Sequence, residues 1–275
     1  MAELGCQDAP GLGGARRAMA SVMLLDSGVG GLSVLDELRS RLPEVDYSYV
    51  LDNAFSPYGE KSEDALKSRV LWLMERVLSY QWPDILVVAC NTLSTLVLPD
   101  LRSRWGFDIV GVVPAIKPAA KLSRRKSIGL LATPATVGRR YTEDLFASFA
   151  SDCEFISYGS SRLVSLAEQK LAGDPVCLKA LGEEVAPLLN AINPPDTIVL
   201  GCTHFPLLRG ELEALYPEIL FVDSGASIAA RVSSLLVAEQ KVGHVGTVYL
   251  TEQSRASTLQ HCLQVRNLEN VVILE

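Results

Sequence analysis

Two segments of the chain share one pattern, in which a short apolar run rich in β-branched residues ends at a cysteine and small polar residues follow at once. The first is residues 85–92 (ILVVACNT), and the second is residues 198–204 (IVLGCTH). Apolar runs of this length are typical of strands that are buried on both faces of a parallel sheet. In open α/β sheets, chemistry gathers at the carboxyl ends of such strands. The pattern therefore predicts two thiols, Cys90 and Cys202, at functional sheet edges.

Other parts of the chain alternate between strand-like and helix-like patterns. Further strands are predicted at residues 22–25, 47–51, 109–113, 128–132 and 220–222. The clearest helix runs from Ser62, which can cap it, to about Tyr80. Its apolar positions share one face: Leu66, Val70, Leu73 and Val77. Strands that alternate with helices indicate βαβ units, so the predicted fold class is α/β with largely parallel sheets.

A weak internal repeat suggests that the chain has two similar halves. Residues 22–27 (VMLLDS) resemble residues 128–133 (IGLLAT), and the two cysteine strands follow them at a similar offset. We therefore expect two similar domains, related by a pseudo-twofold axis, that face each other across a cleft. Cys90 and Cys202 would then lie on opposite walls of that cleft, which we predict to be the active site.

Proline-rich segments and the N-terminus are predicted to lie outside regular structure. Residues 113–118 and 193–196 are not expected to lie in the middle of a helix, because proline restricts the residue before it to extended conformations. The first segment is a candidate crossing between domains, and we expect a hinge near Pro114 and Ser224. Residues 1–20 are predicted to form a mobile N-terminal extension.

Composition excludes several classes of protein. The chain has 275 residues and a formal net charge of −7, and its basic residues are scattered, so no nucleic-acid partner is expected. It lacks an 18-residue apolar run, so no membrane span is expected. Without a C-x-x-C motif, neither a zinc ribbon nor a thioredoxin-type site is predicted, and we expect no metal. Reduced cysteines predict a cytoplasmic protein. The other thiols are predicted to pack as small apolar groups or to lie in the tail: Cys6, Cys153, Cys177 and Cys262.

Small or ionisable residues follow several predicted strands at the same topological position. They are Asp26, Ser27, Cys90, Asn91, Thr92, Thr133, Cys202, Thr203 and His204. Side chains that converge in this way indicate a pocket. If one thiol is held as thiolate and the other is protonated, the pair can remove a proton from one face of a substrate and donate one to the other. His204 is the predicted proton partner of Cys202, because its pKa lies near neutrality. Asp26 either plays the matching part for Cys90 or caps a helix.

The glycine-rich segment 26–31 (DSGVGG) could be mistaken for a dinucleotide-binding loop. Ser33 replaces the third glycine of that motif, so the match is weak. Two interpretations remain open. The glycines allow backbone N–H groups to approach a substrate carboxylate at a helix start, or they form a tight turn between a strand and a helix.

A set of motifs in the chain resembles the glutamate racemase family. The motifs are residues 26–34 (DSGVGGLSV), 57–62 (PYGEKS), 88–92 (VACNT), 111–114 (GVVP), 131–133 (LAT) with Thr136 and Val137, and 200–206 (LGCTHFP). They occur in the family's order and spacing, and the resemblance covers roughly residues 22–230. Residues 159–162 (GSSR) depart from the Cys-Pro of many members, and together with the long N-terminus they resemble the enteric-type branch.

The resemblance implies a cofactor-independent enzyme that interconverts L- and D-glutamate and supplies D-glutamate for peptidoglycan. It also implies two α/β domains, the first made of residues 21–115 plus 225–275 and the second of residues 116–224. Cys90 matches the base for D-glutamate and Cys202 the base for L-glutamate, and Glu168 matches a carboxylate that supports the histidine. Substrate-binding positions match Asp26, Ser27, Tyr58, Gly59, Asn91, Thr92, Thr203 and His204. Some enteric-type members are activated by a UDP-linked muramoyl-alanine precursor, so that activator is expected here. A monomer or a homodimer is expected.

Three alternatives remain open at this point. A racemase for aspartate or another small acid, or a related decarboxylase, would belong to the same superfamily. A cysteine amidohydrolase would use Cys202 as nucleophile and His204 as base, although side chains near a strand end are expected to point apart. A non-catalytic module that binds an amino acid would tolerate serine in place of both cysteines.

Overall fold

The computed structural model describes residues 20–236, 246–253 and 256–274. These residues form an α/β fold with two sheets, and all paired strands within each sheet are parallel. The predicted fold class is therefore confirmed. Except for Ala20, the predicted N-terminal extension with Cys6 lies outside the described residues.

The first sheet has six strands in the order β10-β9-β2-β1-β3-β4. The strands are β1 (Ser21–Asp26), β2 (Asp46–Leu51), β3 (Ile85–Val88), β4 (Asp108–Gly111), β9 (Gly246–Leu250) and β10 (Leu268–Ile273). The second sheet has four strands in the order β6-β5-β7-β8. Its strands are β5 (Ser127–Ala132), β6 (Glu154–Gly159), β7 (Thr197–Leu200) and β8 (Leu220–Val222).

Helices connect the strands and cover the sheets. They are α1 (Leu32–Arg41), α2 (Glu63–Leu78), α3 (Asn91–Arg104), α4 (Ile116–Leu122), α5 (Pro134–Val137), α6 (Arg140–Phe149), α7 (Arg162–Leu171), α8 (Leu178–Leu189), α9 (Arg209–Leu215), α10 (Gly225–Leu235) and α11 (Ala256–Gln264). Short 3₁₀ turns cover Asn53–Phe55, Tyr58–Glu60 and Phe205–Leu208. Among the described residues, none of these helices is both long and apolar enough to cross a membrane.

Successive side chains of β1 alternate between two apolar clusters, which shows that the first sheet is buried on both faces. Leu24 lies in one apolar cluster with Leu35 of α1, and Leu25 lies in a second cluster with Leu73 of α2. Successive strand side chains point to opposite faces, so a strand that lies between two helical layers must be apolar throughout. Two further clusters surround the second sheet in the same way.

Local signals fix the starts of α2 and α4. Ser62 caps α2 as predicted, because its hydroxyl accepts the N–H of Ala65 at 3.3 Å. Neither proline-rich segment lies in the middle of a helix, as predicted, since residues 193–196 are not helical and α4 only begins at Ile116. Pro118 lies in the first helical turn, where a backbone N–H has no partner within the helix and is not missed.

The cysteines outside the two repeated motifs differ in burial. Cys153 and Cys262 are buried, as predicted for thiols that pack as small apolar groups. Cys177 is exposed, so the prediction for it was wrong. It occupies the N-cap position before α8, at the surface end of that helix.

The strand order reveals the internal repeat. In each half, the four core strands follow the spatial order second-first-third-fourth: β2-β1-β3-β4 and β6-β5-β7-β8. Cys90 follows the third strand of the first half, and Cys202 follows the third strand of the second half. The two thiols are therefore topologically equivalent. Division of the chain near residues 115 and 224 stays a prediction, and it would leave each sheet within one domain.

Candidate active site

A cavity of about 340 Å³ lies between the carboxyl edges of the two sheets. Of its lining residues, eleven are those predicted from the sequence as catalytic or substrate-binding: Asp26, Ser27, Tyr58, Gly59, Cys90, Asn91, Thr92, Glu168, Cys202, Thr203 and His204. Thr133 and Thr136 line it as well. The structure thus brings all the predicted site residues into one cavity, whose size suits a small ligand.

Cys90 and Cys202 reach the cavity by the same local structure. Each lies just beyond the end of a short buried strand, at the point where the chain turns into a helical segment. Both side chains are almost completely shielded from solvent, at 8% exposure. Burial raises the pKa of the Cys90 thiol well above its ordinary value, and the negative charges of Asp26 and Cys202 raise it further. At neutral pH, Cys90 in this structure is therefore a protonated thiol.

Cys202, His204 and Glu168 form a row. Nδ1 of His204 lies 3.8 Å from the Sγ of Cys202, and Nε2 lies 3.6 Å from Oε1 of Glu168. The expectation that Cys202 and His204 point apart was wrong, because residues two apart lie on the same face even in a strand. Both residues lie in the turn between β7, which ends at Leu200, and the 3₁₀ segment Phe205–Leu208.

The His204 ring carries a proton at neutral pH. Burial by itself lowers the pKa of an imidazole, but the contacts with Cys202 and Glu168 and the charge of Asp26 outweigh it and raise the pKa of His204 to about 10. The side chain has only 6% exposure, and the described residues provide no hydrogen-bond acceptor within 3.5 Å of its Nε2. A protonated His204 therefore places a positive charge next to the Cys202 sulfur.

Asp26 is buried at the end of β1. Its carboxylate accepts the backbone N–H of Ser27 at 2.6 Å and the hydroxyl of Thr203 at 3.2 Å. Burial raises the pKa of Asp26, while the charge of His204 and the backbone N–H groups that follow β1 oppose that rise. Asp26 does not cap α1, whose N-cap residue is Gly31 and has no capping side chain. The capping alternative for Asp26 is thus wrong.

Tyr58 lines the cavity, but its hydroxyl is already bonded. It donates to Oδ2 of Asp52 at 2.9 Å, and Asp52 is fully buried. Arg69 holds the same carboxylate, with 2.6 Å between Nη2 and Oδ1, and Thr251 donates to it at 2.8 Å. Sequence reasoning missed Asp52. It follows β2 at the same sheet edge as Asp26, so the rule that found the other polar residues would also have found it.

Three threonine hydroxyls bridge the two halves of the cavity. Thr92 at the start of α3 lies 3.1 Å from Thr136 and 3.4 Å from Thr133, and the last two hydroxyls lie 3.0 Å apart. Next to them, a Cβ placed on Gly59 would lie 3.6 Å from the Cβ of Ala135, so this loop contacts α5 closely. These contacts hold the two sheets together at the cavity.

Asn91 adds an unsatisfied acceptor to the same site. Its Oδ1 is buried and has no hydrogen-bond partner among the described residues. A buried acceptor without a partner is expensive, so it indicates a position for a donor group of a ligand. In the part of the chain that the structure describes, no group of three or more His, Cys, Asp or Glu side chains could hold a metal ion.

Comparison with known proteins agrees with this site. Residues 31–232 match the model of the Asp/Glu/hydantoin racemase family. A glutamate racemase of Pectobacterium carotovorum is 52% identical over 217 residues, which cover 78% of this chain and 76% of that protein. A crystal structure of Escherichia coli glutamate racemase in complex with L-glutamate and the activator UDP-MurNAc-Ala has a TM-score of 0.88 and 46% identity, covering 93% of this chain and 98% of that one. A Bacillus anthracis glutamate racemase has a TM-score of 0.82 at 25% identity, covering 94% of this chain and 98% of that one.

In this structure, two equivalent buried thiols face one cavity, on two parallel sheets of the same strand order. The chain belongs to the Asp/Glu/hydantoin racemase family, and within it to the glutamate racemases.

Proposed function

We propose that this chain interconverts L- and D-glutamate by a two-base mechanism in which Cys90 and Cys202 act on opposite faces of the substrate. The observation that carries the proposal is that both buried thiols line one cavity from equivalent positions on two separate sheets. Inversion at Cα needs a base on one face and an acid on the other. Two thiols on one wall of a cavity could not provide both.

The chemical step balances within the site. Starting from L-glutamate, the thiolate of Cys202 takes the proton from Cα, and the thiol of Cys90 donates its own proton to the opposite face. The products are D-glutamate, a Cys202 thiol and a Cys90 thiolate, and the reverse reaction starts from that state. Cα–H is a weak acid, so the reaction depends on positioned acid–base groups in a site that excludes water.

The electrostatics of the site support this division of roles. Burial keeps Cys90 protonated, and a protonated His204 lies 3.8 Å from Cys202. A cationic neighbour stabilises a thiolate. This arrangement supports Cys202 as the base that acts on L-glutamate. Glu168, through His204, is the supporting carboxylate.

Glutamate as the substrate rests on the relatives and on the polar lining of the cavity. The Escherichia coli relative was crystallised with L-glutamate. In this chain, Asn91 offers a free acceptor to the α-ammonium group, and the hydroxyl of Thr92 offers a donor to a carboxylate. The hydroxyls of Ser27 and Thr203 also line the cavity, where both donate to Asp26. Because Tyr58 donates to Asp52, Tyr58 and Gly59 would contact the substrate through the ring and the backbone.

The contact between Cys202 and His204 also favours a second candidate function. A thiol 3.8 Å from an imidazole is the arrangement of a cysteine amidohydrolase. That reaction would release ammonia from glutamine and would not need Cys90. We favour the racemase because the amidohydrolase leaves a second buried thiol in the same cavity without a role. Ammonia release from L-glutamine by the wild-type protein would reverse this preference.

The biological setting follows from the same assignment. D-Glutamate formed here would supply peptidoglycan synthesis in the cytoplasm, where a reducing environment keeps unpaired thiols such as the five described cysteines reduced. We also propose that UDP-MurNAc-Ala activates the chain, since the Escherichia coli structure contains it as activator. Racemase rates with and without this precursor test that proposal, and equal rates would contradict it.

The two-cysteine assignment is tested by serine variants at each position. Circular dichroism follows the loss of optical activity of L-glutamate and, separately, of D-glutamate. We expect Cys90→Ser and Cys202→Ser each to abolish racemisation from both enantiomers. Cys153→Ser is the matched control, because Cys153 is buried in the second domain but does not line the cavity. Racemisation that survives either active-site substitution would overturn the mechanism.

A further inference from the structure

Ser33 links the first domain to the loop that carries Cys202. Its hydroxyl lies 2.8 Å from the backbone carbonyl oxygen of Thr203 and 2.9 Å from that of Gly30. The Gly30 carbonyl already accepts the backbone N–H of Ser33 at 3.0 Å. A serine hydroxyl has a single proton to donate, so the Thr203 carbonyl is the acceptor that gains a bond from it.

The Thr203 carbonyl depends on a donor from outside its own loop. In the turn that follows β7, the N–H of Phe205 bonds to Cys202 O, and the N–H of Leu207 bonds to His204 O, both over three residues. The equivalent donor for Thr203 would be residue 206, which is a proline and has no N–H. Thr203 is buried, with 5% exposure, so an unpaired carbonyl there would be costly.

The same stretch of the first domain contacts the loop directly. A Cβ placed on Gly30 would lie 2.4 Å from Nδ1 of His204 and 2.5 Å from Oγ1 of Thr203. No side chain fits there while the ring keeps its place. Gly30 therefore allows the first domain to pack against the His204 ring, and Ser33, one turn later, bonds to the backbone between Cys202 and His204.

We propose that Ser33 is a positioning residue for the half of the reaction that Cys202 performs. Its hydroxyl holds the Thr203 carbonyl and thereby fixes the Sγ of Cys202 and the His204 ring against the substrate. Ser33 does not line the substrate cavity, so it acts through the loop. The inference rests on the proposed two-cysteine function. The sequence alone does not indicate this role, because Ser33 stands out there only as a departure from a dinucleotide motif and as part of segment 26–34.

Kinetics can show which half of the reaction is affected. L- and D-glutamate are enantiomers of equal stability, so kcat/KM must stay equal in the two directions for any variant. The rate-limiting barrier can nevertheless move between the two proton transfers. If the transfer at Cys202 becomes slower, cleavage of the substrate's own Cα–H bond limits the reaction from L-glutamate, whereas protonation by a solvent-derived proton limits it from D-glutamate.

The test compares Ser33→Ala with Ser33→Thr, which keeps the hydroxyl. For Ser33→Ala we expect kcat/KM to fall about tenfold in both directions, the effect of one lost hydrogen bond to a buried carbonyl. The primary isotope effect on kcat/KM should rise for L-[2-²H]glutamate and fall for D-[2-²H]glutamate. Ser33→Thr should restore both isotope effects. Ser103→Ala is the control, because Ser103 also donates to a carbonyl, that of Asp100 at 2.8 Å, on an exposed part of α3.

Gly30→Ala provides a second and independent variant should Ser33→Ala fail to fold. Its added methyl group displaces the His204 ring. We therefore expect the isotope effect to rise for L-[2-²H]glutamate and to fall for D-[2-²H]glutamate, as for Ser33→Ala. Unchanged isotope effects in a folded but slower Ser33→Ala variant would overturn the role of Ser33. Failure of Ser33→Thr to restore the isotope effects would overturn it as well. If the wild-type protein shows no racemisation, the proposed function itself fails, and the two failures are thereby distinguished.

Discussion

The hydroxyl of Thr203 donates to the carboxylate of Asp26 across the cleft, with 3.2 Å between Oγ1 and Oδ2. Thr203 follows β7 of the second sheet, and Asp26 ends β1 of the first. Both residues are buried. This bond connects the two sheets at the cavity, and it places a carboxylate whose charge acts on both His204 and Cys90.

Replacement of Asp26 by asparagine removes the negative charge of the side chain and keeps its shape. The charge of Asp26 raises the pKa of His204, so Asp26→Asn should lower that pKa and move the alkaline limb of the pH–rate profile to lower pH. We expect kcat to fall about 100-fold, within the range of a positioned acid–base group. A profile of kcat/KM from pH 6 to about 11 checks this. An unshifted alkaline limb would show that Asp26 does not act on His204.

His204 should also make folding stability depend on pH. Its pKa in the folded protein, about 10, lies above its ordinary value of 6.5, so the folded state favours the protonated ring. The resulting stabilisation is complete below about pH 6.5 and is lost as the pH rises toward 10. Thermal unfolding midpoints should therefore fall more steeply between pH 7 and about 10 in the wild type than in His204→Gln. Parallel curves for the two proteins would contradict the raised pKa.

Arg69 should be important for stability because its partner, Asp52, is fully buried. Arg69→Met would leave the Asp52 carboxylate with only the hydroxyls of Tyr58 and Thr251. We expect the free energy of unfolding to fall by about 3 kcal/mol, as for a buried charge that loses its partner. Arg104→Met is the control, since Arg104 pairs with Glu75 in a half-exposed position where a loss below about 1 kcal/mol is expected. Urea unfolding measures both, and similar losses would contradict the account.

Thr136 should affect substrate binding more than turnover. Thr136→Val keeps the shape but removes the hydroxyl that lies near those of Thr92 and Thr133. Without it, these two cavity-lining hydroxyls lose a partner that orients them, and KM for glutamate should rise about tenfold while kcat changes less. Thr197→Val is the control, because Thr197 is buried at the opposite end of β7. A fall in kcat at constant KM would contradict this role.

The sequence predicted the strands and thiols that depend on local pattern. Runs such as 85–88 and 198–200 must be apolar because they are buried on both faces, and that requirement is visible in the sequence. It was not visible for β6 and β10, whose residues are mostly exposed or half-buried. These strands are defined by pairing with β5 and β9, which are contacts between distant parts of the chain.

Side-chain geometry within the site depended on structure beyond strand alternation. Cys202 and His204 were expected to point apart, yet the turn after Leu200 brings them together. Asp52 lacked a motif of its own, and its contacts with Tyr58 and Arg69 join three separate segments of the chain. Sequence motifs therefore identified the residues that line the cavity. The hydrogen bonds between these residues could be identified only from the structure.

The most direct test of the two-base mechanism is the isotopic composition of both glutamate enantiomers early in a reaction run in D₂O. Purified protein is incubated with L-glutamate without added cofactor, and chiral separation with mass spectrometry follows deuterium at Cα. If Cys202 removes a proton from one face and Cys90 donates a solvent-derived one to the other, D-glutamate carries deuterium from the start while the remaining L-glutamate carries none. Retained substrate hydrogen in the first D-glutamate formed would show that one base serves both faces and would contradict the mechanism.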